Sequence, residues 1–74
     1  MYLVKKEKND ELKRIRTKCY AEKTGFTPNY ISAVLNGNLK CTEPGAKAIL
    51  SVSFDISFYD KQMEKLLKEY FMEE

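Results

Sequence analysis

The sequence contains no histidine and no tryptophan, and it has only two cysteines, Cys19 and Cys41. Without histidine the chain cannot build a Ser-His-Asp or Cys-His triad, and it does not offer the four ligands of a structural zinc site. We interpret both cysteines as small apolar residues. The three glycines lie far apart, so there is no glycine-rich phosphate loop. We therefore expect no enzyme, no cofactor and no metal.

Long apolar stretches are also missing. No hydrophobic run approaches the ~20 residues that a bilayer-spanning helix needs. Residues 1–9 carry three lysines around one short apolar patch, which does not resemble the core of a signal peptide. We therefore expect a cytoplasmic protein without a membrane partner. The 74 residues, of which 43% are hydrophobic and 32% charged, predict one globular domain, 1–74, whose small core a partner subunit could extend.

The net charge of +2 hides a gradient along the chain. Residues 1–23 hold eight basic and four acidic side chains, a net of +4, whereas residues 24–56 are neutral overall. Residues 57–74 hold three lysines and five acids, a net of −2. Two interpretations of this gradient are open. One is a basic face that binds a polyanion, and the other is ordinary solvated helix surface.

Helical patterns begin close to the N-terminus. The apolar patch Tyr2–Val4 fits a short strand, an arm or the start of a helix. Asn9 or Asp10 can cap a first helix, because both residue types accept hydrogen bonds from exposed backbone N–H groups. Apolar residues then follow at helical spacing, namely Leu12, Ile15 and Cys19. Thr17 could cap a second helix, and the pattern leaves open whether the chain breaks near Arg16 or continues as one helix.

Helix boundaries are sharper in the middle of the chain. Gly25 marks the end of the second helix. Thr27-Pro28 predicts the start of a third, because threonine caps exposed N–H groups and proline suits the first helical position. The apolar face of this helix consists of Ile31, Val34 and Leu35. Asn36-Gly37 ends it, and Thr42 caps a fourth helix.

The last part of the chain completes the predicted fold. Residues 51–54 alternate as in a strand but have no plausible partner, so we interpret them as a frayed helix end and a loop. Ser57 caps the last helix, whose apolar stripe comprises Tyr59, Met63, Leu66, Leu67, Tyr70 and Phe71. The pattern predicts an all-α fold, a small bundle of about five helices. Residues 57–74 would pack on the core and form a homodimer through Leu67, Tyr70 and Phe71.

Two short helices separated by a tight glycine-containing turn are typical of units that place their second helix in the major groove of DNA. Residues 17–36 fit this pattern. The string AEKTGFTPNYISAVLNG resembles the Cro and lambda-repressor-like helix-turn-helix family of phages and bacteria. The resemblance covers roughly residues 10–56. It is closest over residues 17–37.

The resemblance implies a sequence-specific transcriptional regulator of a phage or mobile element that binds double-stranded DNA and occludes a promoter. It assigns base contacts to Thr27, Pro28, Asn29, Ser32 and Ala33. It assigns phosphate contacts to Thr17, Lys18, Asn36, Asn38 and Lys40. The side-chain chemistry fits in part, because asparagine can pair bidentately with adenine and alanine can contact a thymine methyl group. Paired copies would read two half-sites about one helical turn apart.

The proposed recognition helix is uncharged, since no lysine or arginine lies between Lys23 and Lys40. DNA affinity depends largely on the neutralisation of phosphates. This task would fall to Lys13, Arg14, Arg16, Lys18, Lys23, Lys40 and Lys47. Tyr30 could pack on the sugar-phosphate chain, but a half-buried ring beside the core is the favoured interpretation.

The alternative function is a protein-binding module on the same fold, such as a phage antirepressor or an anti-CRISPR inhibitor. The neutral third helix and the aromatic residues favour this alternative. Its partner would be a protein instead of DNA. A fold does not determine which of the two partners is bound.

Overall fold

Five α-helices and a small two-stranded sheet form the protein in the computed structural model, which describes residues 1–74. In chain order the elements are β1 (Tyr2–Val4), α1 (Asn9–Leu12), α2 (Thr17–Thr24), α3 (Pro28–Leu35), α4 (Glu43–Phe54), α5 (Met63–Tyr70) and β2 (Phe71–Glu73). One 3-10 turn, Lys6–Lys8, leads into α1. None of the helices combines the length and the apolar character that a bilayer crossing requires.

Threonine caps begin α3 and α4, as the sequence predicts. Oγ1 of Thr27 accepts a hydrogen bond from the N–H of Tyr30 at 3.2 Å. Oγ1 of Thr42 accepts one from the N–H of Gly45 at 3.3 Å. A proline follows each cap within the first turn. Each cap satisfies an N–H group that has no partner within its helix, which typically contributes about 1 kcal/mol.

A break between α1 and α2 resolves the alternative that the sequence leaves open. α1 ends at Leu12, and Arg16 has an extended backbone with φ −65° and ψ 144°. Thr17 is the first residue of α2 and not its cap. The hydroxyl of Tyr20 donates a hydrogen bond to the carbonyl oxygen of Leu12 at 2.6 Å. This buried bond satisfies a carbonyl group at the end of α1, so the helix can stop there.

The fold is mostly helical and not all-α, because residues 2–4 form a strand. β1 pairs with β2 in antiparallel orientation, with Val4 opposite Phe71. The other edge of β1 contacts the segment before α4. There the N–H of Tyr2 donates to the carbonyl of Cys41 at 2.7 Å, and the N–H of Cys41 donates to the carbonyl of Tyr2 at 2.8 Å. The partner of β1 therefore lies at the far end of the chain, where no local pattern reveals it.

Residues 51–54 are helical, so their interpretation as a frayed end and a loop is wrong. α4 continues to Phe54 and ends because Asp55 adopts a left-handed conformation with φ 53°. The N–H of Ile56 then donates to the carbonyl of Ser51 at 3.1 Å, which closes the C-terminal turn. The alternation of serine with larger residues reflects one buried serine, Ser53, inside a helix.

The last helix is shorter than predicted. Ser57 does not cap it. Its Oγ accepts a hydrogen bond from the N–H of Tyr59 at 3.1 Å and closes a turn. α5 begins six residues later, at Met63, and does not include Phe71, which continues the apolar pattern as the first residue of β2. The segment 57–74 is thus a turn, a helix and a strand.

One cluster of fifteen buried hydrophobic residues forms the core: Val4, Leu12, Tyr20, Ile31, Val34, Leu35, Cys41, Ala46, Ile49, Leu50, Met63, Leu66, Leu67, Tyr70 and Phe71. The predicted dimer contacts, Leu67, Tyr70 and Phe71, belong to it and are at most 6% exposed. They are not available to a second copy, contrary to expectation, because other side chains of the same chain cover them.

The turn after α2 yields a test of backbone conformation. Gly25 has φ 83°, and nothing lies within 4 Å of the position that a Cβ would occupy. We expect Gly25→Ala to lower the free energy of unfolding by about 1 kcal/mol, because an L-residue is strained in the left-handed region. The matched control is Gly45→Ala in α4, where the nearest atom is 3.4 Å away and φ is helical. The control should be neutral or stabilising by about 0.5 kcal/mol. Equal urea unfolding curves for the two variants would contradict this account.

Buried hydroxyl and thiol groups hold their protons strongly. The hydroxyl of Tyr70 donates a hydrogen bond to the carboxylate of Glu11, and this bond together with burial raises the pKa of Tyr70 to about 12. Burial raises the pKa of the Cys41 thiol from 9.0 to about 11. It also raises the pKa of Tyr20. The folded state therefore binds these protons at a pH where the unfolded chain has released them.

Alkaline pH should destabilise the protein. The contribution of the Cys41 thiol to the free energy of unfolding is complete below pH 9.0 and is lost as the pH rises through about 11. The contribution of Tyr70 is lost between 10.0 and about 12. We expect the urea midpoint to fall steadily over this range. In Cys41→Ala the decline between pH 9.0 and about 11 should be shallower. A parallel decline in the variant and the wild type would contradict the assignment to the thiol.

Candidate nucleic-acid interface

A three-residue turn joins α2 to α3 and determines the direction of α3. The N–H of Gly25 donates to the carbonyl of Ala21 at 2.9 Å and ends α2. Oγ1 of Thr24 donates to a carbonyl of α2 at 2.7 Å and accepts a hydrogen bond from the N–H of Phe26 at 3.3 Å. The turn is thus held by bonds to both of its ends. The glycine and the threonine cap in the sequence were the signals that predicted it.

α3 buries one side and leaves the other accessible. The buried side consists of Ile31, Val34 and Leu35. The residues predicted to contact bases lie outside the core: Thr27, Pro28 and Asn29 are exposed, and Ser32 and Ala33 are half-buried. All five are short or rigid and none carries a charge. The carboxamide of Asn29 takes no part in the cap of α3, so both its donor and its acceptor face solvent.

Ser32 and Asn36 form a hydrogen-bonded pair at the end of α3. Nδ2 of Asn36 donates to the carbonyl oxygen of Ser32 at 2.8 Å and lies 3.4 Å from Oγ of the same residue. The family resemblance assigns Ser32 to a base and Asn36 to a phosphate. In the structure the Asn36 amide is bonded to the backbone of Ser32 and lies beside its hydroxyl. The carbonyl oxygen of the Asn36 side chain is left as an acceptor.

An open cavity of about 290 Å³ lies between the start of α2 and the end of α3. Its lining comprises Lys13, Ile15, Thr17, Ser32, Leu35 and Asn36. Four of these residues are predicted to contact DNA, namely Lys13, Thr17, Ser32 and Asn36, and the fold brings them together although fifteen positions separate Thr17 from Ser32. Lys13 adds a cation at the rim. Ile15 was interpreted only as part of a helical stripe, and nothing in its spacing marked it as a cavity residue.

The N-terminus of α2 presents free backbone donors beside this cavity. Arg16 precedes the helix without a side-chain cap, and its carbonyl accepts hydrogen bonds from the N–H groups of Cys19 and Tyr20 at 3.0 and 3.2 Å. The N–H groups of Thr17 and Lys18 have no backbone partner. Such groups point along the helix axis toward solvent and attract anions.

The basic residues fall into two groups. Arg14 is committed to the fold, because its Nη2 donates to the carbonyl of Ser53 at 2.6 Å and its guanidinium lies 5.1 Å from the ring centroid of Phe54. Three lysines are engaged in ion pairs, namely Lys8, Lys40 and Lys47. The residues without an ion pair around α2 are Lys13, Arg16, Lys18 and Lys23. Arg14 is one of the residues expected to neutralise phosphates. Its contacts with Ser53 and Phe54 instead attach the segment after α1 to α4.

The loop after α3 places the remaining predicted phosphate contacts. Gly37 has φ 76°, and the N–H of Asn38 donates to the carbonyl of Ala33 at 2.9 Å, which ends the helix tightly. Asn38 is exposed. Lys40 is also exposed, but its Nζ lies 3.0 Å from Oε1 of Glu74. The sequence gave no signal for this pair, because its two residues are 34 positions apart in the chain.

Tyr30 is a half-buried residue that packs on the core. Its ring centroid lies 4.9 Å from that of Phe26, with the planes tilted by 53°. Burial raises the pKa of its hydroxyl. The favoured interpretation of this residue, a ring beside the core, agrees with its position.

No protein-family model, curated protein or solved structure matches this chain. No group of three or more potential metal ligands is present either. The two cysteines are free, with Cys19 half-buried and Cys41 buried. A functional assignment therefore depends on the geometry and charge around α2 and α3.

Proposed function

We propose that the protein is a small sequence-specific DNA-binding regulator of the helix-turn-helix type, which acts by occluding a promoter. One observation carries the proposal. The uncharged outer side of α3 lies next to an N-terminus of α2 that combines two free N–H groups with unpaired cations. A helix that reads bases needs neighbouring groups that bind phosphate. This arrangement supplies both.

The phosphate-binding part would be the start of α2. The free N–H groups of Thr17 and Lys18 lie in the first turn of α2, and Arg16 directly precedes it. Lys13 and Thr17 line the neighbouring cavity. Backbone N–H groups at a helix N-terminus bind a phosphate oxygen through hydrogen bonds and the helix dipole. Nearby cations strengthen that attraction and release counterions from the DNA.

The base-reading part would be the first two turns of α3. The exposed carboxamide of Asn29 can donate to and accept from one adenine. The hydroxyl of Ser32 suits several bases, and the Asn36 amide lies 3.4 Å from it. The methyl group of Ala33 suits a thymine methyl. Discrimination at each good contact would be about 1–3 kcal/mol.

A salt titration tests the proposal. Lys40 is held in an ion pair and Arg14 is bonded to α4, so about four cations around α2 remain to bind phosphates. The logarithm of the association constant should therefore fall with a slope of about −3 to −4 against the logarithm of the salt concentration. DNA recovered from a random oligonucleotide pool should show one preferred site. A flat and weak response to salt, with no preferred site, would contradict the proposal and favour a protein partner.

Substitutions separate base reading from phosphate binding. Asn29→Ala should relax the preference at one base position and leave binding to random DNA unchanged, whereas Lys18→Ala should weaken all DNA about equally and reduce the salt slope by about 1. Lys61→Ala is the matched control, since it removes an exposed lysine of the acidic C-terminal part. If Asn29→Ala keeps full selectivity, α3 does not read bases.

The second candidate, a protein-binding module, is favoured by the loop before α5. Tyr59 is 89% exposed, and its ring packs edge-on against Phe58 with centroids 5.3 Å apart. Exposed aromatic side chains are common at protein interfaces. For either function, homodimer formation would have to use a surface other than Leu67, Tyr70 and Phe71. Sedimentation at micromolar concentration determines whether such a dimer exists.

A further inference from the structure

Every ion pair between side chains joins a lysine to a glutamate of residues 64–74. The pairs are Lys8–Glu69 at 3.9 Å, Lys47–Glu64 at 3.8 Å and Lys40–Glu74 at 3.0 Å. The acidic C-terminal part of the chain is thus an internal polyanion that engages lysines from three separate segments. Only one of the three lysines, Lys40, lies in the loop after α3 that was assigned to phosphate.

The backbone holds the Lys40–Glu74 pair in place. Lys40 immediately precedes Cys41, which is bonded to one edge of β1 through Tyr2. Glu74 follows β2, which is bonded to the other edge, and its N–H donates to the carbonyl of Met1 at 2.8 Å. The two side chains therefore meet across β1. Their positions follow from the strand register and not from chance contact between flexible loops.

We propose that Glu74 limits the affinity of the protein for polyanions by keeping the ammonium group of Lys40 engaged. This inference extends the proposed DNA-binding function to its regulation by the chain's own acidic segment. A phosphate and the Glu74 carboxylate are alternative partners of the same ammonium group. The side chains of Lys40 and Glu74 are 49% and 40% exposed, so solvent screens the pair and the competition is moderate.

Neutralising Glu74 without changing its size tests the inference. In Glu74→Gln the Lys40 ammonium is released, and we expect affinity for duplex DNA at low salt to rise about two- to fivefold, as for the loss of an exposed ion pair. The salt slope should become steeper by about 0.9, corresponding to one further phosphate. Elution from heparin, a polyanion without bases, should require more salt.

The matched control is Glu69→Gln, which removes the same charge from the same acidic segment but releases Lys8 instead. A general charge effect would be equal in both variants, whereas the inference requires the larger effect in Glu74→Gln. When Lys40 has been replaced by Gln, Glu74→Gln should raise the affinity for DNA and heparin no more than Glu69→Gln does. Thermal unfolding of each variant verifies that the fold is retained.

Two results would overturn the inference. One is that Glu74→Gln and Glu69→Gln elute from heparin at the same salt concentration, regardless of where the wild type elutes. The other is a full effect of Glu74→Gln in the absence of Lys40. The heparin comparison does not depend on a DNA site. If the wild type binds no duplex, the DNA-binding proposal is contradicted, and the heparin comparison still tests the role of Glu74.

Discussion

The pairing of residues 2–4 with residues 71–73 is the constraint on which the rest of the structure depends. Two strands of three residues are too short to be stable alone. They persist because Val4 and Phe71, which lie opposite each other, are both buried in the core. The other edge of β1 is bonded to Cys41, just before α4. One short strand thus joins both ends of the chain to its middle.

This strand also determines the surroundings of α3. A Cβ on Gly37, at the end of α3, would lie 3.7 Å from the carbonyl oxygen of Val4. The loop from Gly37 to Cys41 therefore runs along β1 and is bonded to it at Cys41. Because β1 carries β2 on its other edge, the acidic end of the chain lies close to the same loop. The electrostatic environment of α3 is consequently a result of strand register as much as of local sequence.

Local signals in the sequence predicted the middle of the fold correctly. Thr27, Thr42 and Gly25 act on backbone groups within four residues, so their effects can be read without knowing the tertiary structure. Phe71 shows the opposite case. Its spacing continues the apolar stripe of α5, and one apolar residue fits a buried strand as well as a buried helix. Only the partner strand, about seventy positions away, makes it β structure.

The candidate site also has one part that the local sequence predicts and one part that depends on distant contacts. The exposed residues of α3 follow from helical periodicity, since the buried side was evident from its aliphatic residues. The availability of cations does not follow from the sequence, because it depends on distant acceptors such as the carbonyl of Ser53 for Arg14 and the carboxylate of Glu74 for Lys40.

These distant contacts reduce the number of cations that are free to bind phosphate, and the basic residues left without an ion pair around α2 are Lys13, Arg16, Lys18 and Lys23. In the proposed function this favours selectivity over affinity, because non-specific DNA binding depends on the number of phosphates neutralised and base reading does not. A neutral recognition helix gains little from random DNA. A correct base sequence would then be needed for stable binding, and under the proposed role of Glu74 the acidic C-terminal part of the chain would increase that requirement.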